Sequence, residues 1–389
     1  MTESCDLCRS PDLECIYEPW DSGRGLKVHI CTRCGLLQSL PKADRAPRQG
    51  AAVSSGADWG NVRYGKGFRT QACLSMLAAH ADLKKPLKVL DVGSNRGAFA
   101  RALTAAAAEA ELTCVEPDER VAESCLGLPR TELVCARIEE ANLPEFHYDV
   151  VHSCHTLEHL ASPMTVLEQH WRQLKPGGYL ILDVPNVALI AGDDMVEEWF
   201  IDKHLYHFSR TTLERFLAAS GFAVVGGPDP DDYENLLIVA RKRDLRRTCP
   251  HDPDEVDVAL SRVTSYVLNR ARNLAVLTHV AAEIAQLAPK GVALWGAGRL
   301  FDALVRHGGF DPNVLSLLID THLKSHVAER HGMPVSGPDA LSEAKPAAIV
   351  VMSRAFSSEI ARKAAEASPQ AEILLYADLL ARARTALAA

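Results

Sequence analysis

Cysteine and carboxylate side chains stand at chemically meaningful spacings in two stretches of this sequence. Cys5-x-x-Cys8 and Cys31-x-x-Cys34 are separated by 22 residues. Two such knuckles with a short spacer read as a four-thiolate zinc ribbon. Four protein ligands leave zinc no open position, so the ion would be structural. It would supply folding energy that some forty residues cannot gather from a core. The second stretch is VLDVGSNRGAF, Val89–Phe99. An apolar strand runs into Asp91, breaks at a glycine turn and resumes as an Ala-rich helix. Gly93 and Gly97 permit backbone angles that a side chain would forbid and let a ligand approach the chain closely. The helix start offers free N–H groups and a positive dipole end. Glu116 closes the next strand, ELTCVEP, 25 residues after Asp91. A carboxylate there can accept both hydroxyls of a ribose.

The elements that must position these groups follow in a fixed order. After Glu116 come the strands TELVCA and YDVVHSCH, the segment HTLEHLASP, the helix SPMTVLEQHWRQL, the turn LKPGG and the strand YLILDVPN. A dinucleotide-binding turn expects Gly-x-Gly-x-x-Gly, and its second glycine place holds Asn95. The whole order, over roughly residues 60–243, resembles the class I S-adenosylmethionine-dependent methyltransferases. That resemblance implies roles. Asp91 would hold the amino-acid end of the cofactor, Glu116 its ribose. Ile138, after the third strand, would pack on the adenine or serve the core. Cys154 and His155, ending the fourth strand, would lie beside the methionine part.

The chain has 389 residues, a length for two or three domains, and an ordinary apolar fraction of 47%. A formal charge of -8 argues against nucleic acid as the main partner. No apolar run reaches bilayer length and the start MTESCDLC lacks a signal-peptide pattern, so no membrane partner and a cytoplasmic location are expected. The eleven cysteines fit metal binding or free thiols better than disulfides. Cys15, Cys73, Cys114, Cys125, Cys135 and Cys249 have no partner spacing, and several sit in apolar strands as core residues would. Residues 41–58 are rich in Pro, Gly, Ala and Ser and read as a connector, followed by a helix over Gly67 to Ala81. Ser162 and Pro163 suit an N-cap and first helical position. Thr211 and Glu214 have capping-box spacing, and Gly221 ends that helix. AVVGG and ENLLIVARK read as a closing hairpin. A helical pattern covers Asp254 to Leu287, and a second α/β unit follows it. There GVALWGAGRL repeats the strand–turn–helix device, with Gly296 and Gly298 in the turn and Asp320 ending the next strand. The expected fold is α/β: a zinc ribbon over 1–56, a Rossmann-like methyltransferase sheet over 57–243, and a long helix with a smaller Rossmann-like domain over 254–389.

That three-part arrangement resembles the sugar C-methyltransferase family of deoxysugar pathways, which acts on nucleotide-linked keto-sugars. The resemblance places active-site residues at Tyr64 in NVRYGKGF, His159 in HTLEHL and His204 in DKHLYHFS. His204, in an insertion after the fifth strand, is the expected general base, because an imidazole titrates near neutral pH. His207 is expected to be structural. This chain departs from the family just before His204, where Ile201, Asp202 and Lys203 replace a tyrosine and a glutamate. The expected acidic residue after the third strand is also absent, with Ala136 and Arg137 in its place and Glu139 nearby. Asp202 is the nearest carboxylate in sequence that could offset Lys203. The expected function is S-adenosylmethionine-dependent C-methylation of a nucleotide-sugar. O- or N-methylation of a sugar or other small natural product is the first alternative. A zinc-ribbon module binding nucleic acid or protein on a methyltransferase scaffold is the second. The oligomeric state has no sequence signal.

Overall fold

A computed structural model describes residues 3–20, 22–42, 68–119, 125–228, 232, 234–325, 327–354 and 356–388. They form two compact units, one of residues 1–189 and 200–263, the other of 190–199 and 264–389.

The first unit opens with three antiparallel strands, β1 (Leu13–Tyr17), β2 (Lys27–Cys31) and β3 (Leu37–Leu40). β2 alternates, burying Val28 and Ile30 and exposing Lys27, as a half-buried strand must. Helix α1 (Phe68–Ala78) follows, within the expected span, and precedes β4 (Lys88–Val92). Then come α2 (Ala98–Ala106), β5 (Glu111–Val115), β6 (Thr131–Val134), β7 (Tyr148–Cys154), α3 (Pro163–Gln173) and β8 (Leu174–Pro185). β8 runs through the LKPGG segment expected as a turn. Gly177, at φ +74°, absorbs the bend inside the strand. Ser162 caps α3 by accepting the Thr165 N–H at 3.2 Å, with Pro163 at the first helical position. Such a cap contributes about 1 kcal/mol.

A two-residue strand, β9 (Tyr206–His207), pairs with β3 and becomes the fourth strand of the ribbon sheet. Helix α4 (Arg210–Ala219) follows, then the hairpin β10 (Phe222–Gly226) and β11 (Asn235–Lys242). The capping box of α4 is Ser209 with Thr212 rather than Thr211 with Glu214. Ser209 Oγ accepts the Thr212 N–H at 3.1 Å and Thr212 Oγ1 accepts the Ser209 N–H at 3.0 Å. Glu214 is instead one turn into the helix and pairs with Arg210 at 2.7 Å.

The central sheet has the order β10-β11-β8-β7-β4-β5-β6, parallel except for β11, which is antiparallel to both neighbours. The chain leaves β4 toward β5 on one side and returns to β7 on the other. The crevice beyond the carboxyl ends of β4 and β7 is therefore the switch point where ligands bind in open α/β sheets. Two apolar layers cover the sheet. One includes Leu77 of α1 with Phe99 and Leu103 of α2; the other includes Val166 and Leu167 of α3 with Phe216 of α4. Each large side chain so buried contributes roughly 1.5–3 kcal/mol.

Helix α5 (Pro253–Gln286) matches the expected long helix, and the division between the units falls inside it. The second unit carries a six-stranded sheet in which β12 (Val292–Trp295), β13 (Leu317–Ile319), β16 (Ala348–Val351) and β17 (Glu372–Leu375) are parallel. β14 (Glu329–Arg330) and β15 (Met333–Ser336) complete one edge. The segment Ile190–Trp199 is built into this unit. Arg270 Nε donates to the Val196 carbonyl at 3.0 Å and Asn273 Nδ2 to the Asp193 and Met195 carbonyls at 2.8 and 2.9 Å. Arg354 pairs with Asp194 and Glu197. The glycine turn here is filled from within: a Cβ on Gly296 would stand 2.4 Å from the Met352 carbonyl oxygen. Asp320 accepts the N–H groups of Ala297, His322 and Leu323, which ties its carboxylate to the loops around it. Among the described residues, no helix is long and apolar enough to cross a membrane.

Candidate active site

The turn between β4 and α2 is tied down on both sides. Gly93 takes φ +71°, and a Cβ there would meet Thr156 Oγ1 at 2.1 Å. Its bareness makes room for the loop after β7 rather than only for a ligand. Asn95 occupies the left-handed region at φ +48°, which asparagine tolerates better than most residues. That explains how the turn does without a second glycine. Gly97, at φ +69°, is the N-cap of α2 and supplies no side-chain cap, so the first N–H groups of the helix are left for another acceptor.

Glu116 ends its strand beside this turn and is 8% exposed. Its Oε2 accepts the Asn95 N–H at 2.9 Å and its Oε1 the Asp118 N–H at 2.9 Å. Burial pushes the Glu116 carboxyl above the usual carboxylate range, and the two N–H donors pull the other way. Each oxygen keeps a second lone pair, enough for two ribose hydroxyls. An acceptor pair here, with an uncapped helix start next to it, fits the nucleoside and carboxylate ends of S-adenosylmethionine. Asp91 is 1% exposed and accepts from His152 Nδ1 at 2.7 Å, with the His152 ring stacked on Phe99 at 3.7 Å. Ile138 is 3% exposed and packs in the apolar layer with α3. Cys154 turns its thiol to Asp183 Oδ2 at 3.3 Å, and Asp183 is held by Arg69 of α1.

Beyond β7 the structure gathers a second group. Glu158 is 1% exposed, with Oε1 3.6 Å from His155 Nδ1 and 3.7 Å from His159 Nε2. The rings of His159 and His204 are 4.9 Å apart, and side-chain ligand atoms of Glu158, His159 and His204 lie within 4.8 Å of one another. Burial pushes the Glu158 carboxyl up to about 8. His159 Nδ1 stands 2.8 Å from the Lys203 carbonyl, which only accepts, so that nitrogen carries a proton and Nε2 faces Glu158. Glu158 is thus the acidic neighbour that the residues before His204 lack. It went unassigned in the sequence, although the LEH segment contains it. Asp202 does not fill that place. It accepts from Ser22 Oγ and the Arg24 N–H, facing the loop before β2. Tyr64 lies outside the described residues. His207 is buried, 2.9 Å from Ser39 Oγ, a structural position.

Two backbone hydrogen bonds fix the segment carrying His204. Leu205 N–H donates to the Glu158 carbonyl and Ser39 N–H to the Leu205 carbonyl, both at 2.8 Å. Upstream, the four knuckle cysteines converge. Cys5 and Cys34 sulfurs are 3.6 Å apart, Cys8 and Cys31 sulfurs 3.5 Å, and all four lie within 4.8 Å of one another. These separations approach the edges of a tetrahedron of sulfurs around zinc, about 3.8 Å. Of the remaining cysteines, Cys73, Cys114 and Cys125 are buried, whereas Cys15 and Cys135 are exposed.

Residues 66–226 match the family model described as a methyltransferase domain. Solved structures of similar fold include an S-adenosylmethionine-dependent methyltransferase from Listeria monocytogenes, 20% identical, covering 46% of this chain and all of its own, with a TM-score of 0.38. Another is 1,6-didemethyltoxoflavin-N1-methyltransferase from Burkholderia thailandensis, 20% identical, covering 59% of this chain and all of its own, with a TM-score of 0.40. A third is a methyltransferase in complex with the Trm112 activator from Haloferax volcanii, 17% identical, covering 49% and 100%, with a TM-score of 0.40. No curated protein matches the sequence. The chain carries a class I methyltransferase domain and is an S-adenosylmethionine-dependent methyltransferase.

Proposed function

We propose that this methyltransferase acts on a small molecule held against His204, and that the acceptor is a nucleotide-linked keto-sugar methylated at carbon with His204 as general base. One observation carries the reading: the His159–His204 pair stands over buried Glu158, beyond the carboxyl end of the strand next to the cofactor turn. When bound, S-adenosylmethionine supplies a methyl group activated by its sulfonium charge. Glu116 would hold the ribose and the turn from Gly93 to Gly97 the amino-acid end. Asp91 Oδ1 engages His152, which leaves its buried Oδ2, without a hydrogen-bond partner among the described residues, as the oxygen that would serve that end. Cys154 and His155 line the strand end next to it.

His204 would take the acidic proton beside the acceptor's carbonyl. Glu158, pushed up to about 8, holds a proton at neutral pH and can pass it to His159 Nε2. The proton that His204 takes makes it an imidazolium, and the negative charge of the enolate formed beside it balances that gain. Tyr64 would orient the acceptor, as the family resemblance implies.

The test is solvent exchange. In heavy water without S-adenosylmethionine, the wild-type enzyme should exchange the acceptor's α-proton. His204→Asn should lose that exchange and about two to four orders of magnitude in turnover, while keeping cofactor affinity. Competent methylation with no exchange in the wild type would point to an oxygen or nitrogen acceptor. We further propose one structural zinc on Cys5, Cys8, Cys31 and Cys34. Elemental analysis of protein purified without added metal checks it, and a folded, zinc-free ribbon would overturn it.

A further inference from the structure

We propose a second metal centre, inside the central domain: a structural zinc(II) ion bound by Cys73, His152 and Cys154. His152 and Cys154 are two residues apart on β7, so they face the same side of the sheet. Cys73 comes from α1, which packs on that side. One ligand atom from each lies within 4.8 Å of the other two. Ligand atoms around tetrahedral zinc are spaced about 3.3–3.8 Å, so binding requires a contraction of about 1.5 Å at most.

The imidazole is already set for the task. Its Nδ1 engages Asp91 Oδ1 at 2.7 Å, and its buried Nε2 has no hydrogen-bond partner among the described residues. A carboxylate on one ring nitrogen fixes the proton there and presents the other lone pair to a metal. Left alone, a buried unpaired nitrogen is a cost to folding. Asp183 lies outside that group of mutually close ligand atoms and would supply a fourth ligand only by shifting toward it. Its Oδ2 lies 3.3 Å from the Cys154 sulfur, and its Oδ1 has no hydrogen-bond partner among the described residues. Arg69 balances its charge.

Charge selects the ion. The cysteines bind as thiolates and the histidine as neutral imidazole, and the displaced protons leave to solvent. A divalent ion cancels two thiolates, whereas monovalent copper would leave one more negative charge in a pocket where Cys73 is 1% and His152 4% exposed. Such burial excludes a substrate. The ion would pin α1 to the strand that leads into the His159 loop.

Zinc content per chain should be measured in the full-length wild type, Cys73→Ala and His152→Gln, purified without chelator or added metal. Each variant is expected to hold one zinc fewer than the wild type, a difference that stands whether or not the four-cysteine cluster also binds zinc. Equal content in the wild type and a folded Cys73→Ala overturns the proposal. So does a Cys73–Cys154 disulfide mapped in the wild type as purified. A check free of variants is anomalous diffraction at the zinc edge on wild-type crystals. A peak among the three side chains is expected, and its absence overturns the site.

Discussion

Glu158 joins two histidines that the chain keeps 45 residues apart, His159 and His204. Glu158→Gln keeps the shape and removes the exchangeable acid. Turnover should fall about ten- to a hundredfold. A steady-state pH profile should lose its inflection near 8, the level to which burial raises this carboxyl. A fall in turnover with the inflection intact would make Glu158 a packing residue. Glu116→Gln is the companion test on the cofactor side. Loss of charge-assisted hydrogen bonds worth about 1.5–3 kcal/mol should weaken S-adenosylmethionine binding roughly ten- to a hundredfold by calorimetry. Unchanged affinity would remove the ribose assignment. The positions of Glu116 and of the knuckle cysteines were legible in the sequence because fixed spacing carries them. Glu158 was not, because His204 is brought to it by the segment just before β9, whose pairing with β3 leaves no local pattern.

The ribbon sheet reaches the active site through one backbone ladder. β3 pairs with β9, and Ser39 holds Leu205 next to His204. Removing the zinc proposed for the knuckles, or replacing Cys8 with Ser, should therefore lower turnover more than cofactor affinity. Parallel assays of turnover and of binding check this, and equal losses in both would refute it. The elements also predict acid sensitivity. Burial lowers His170 to about 4 and His207 to about 3, so each stays neutral in the folded state while the unfolded chain takes up protons below about 6.5. The stability they confer is present above that value and is lost as pH falls toward 3. By pH 5 the loss should be about a few kcal/mol, seen as a lower denaturation midpoint. His170→Gln should flatten the slope, and an unchanged slope would contradict the assignment. Long strands and helices such as β7, β11 and α5 were legible from apolar period and length. The Ser209 capping box lay beyond that reading, because Thr211 and Glu214 offer the same spacing two residues later. Gly177 hid the start of β8 for a similar reason, since its positive φ serves a bend inside the strand rather than a turn.

At the scale of the molecule, both units use one device: an acidic residue ending the second strand accepts an N–H from the preceding glycine turn, Glu116 from Asn95 and Asp320 from Ala297. In the second unit Met352 closes the turn, and the sequence showed the device without showing its closure. The segment Ile190–Trp199 was wholly illegible, since its partners lie 67 to 191 residues onward. A chain ending at residue 263 should strip Ile190, Met195 and Val196, all 2% exposed or less, of their packing. Such a fragment should aggregate or bind a hydrophobic dye more strongly than the full chain, and a monodisperse, dye-silent fragment would contradict this. The excursion also constrains ancestry. A module appended at the end of a gene leaves the host's interior loops untouched, but here ten residues of an interior loop belong to the later module's core. Any natural relative that lacks the region after 263 should also lack or have rewritten 190–199, so the two stretches must have been gained, lost or exchanged together.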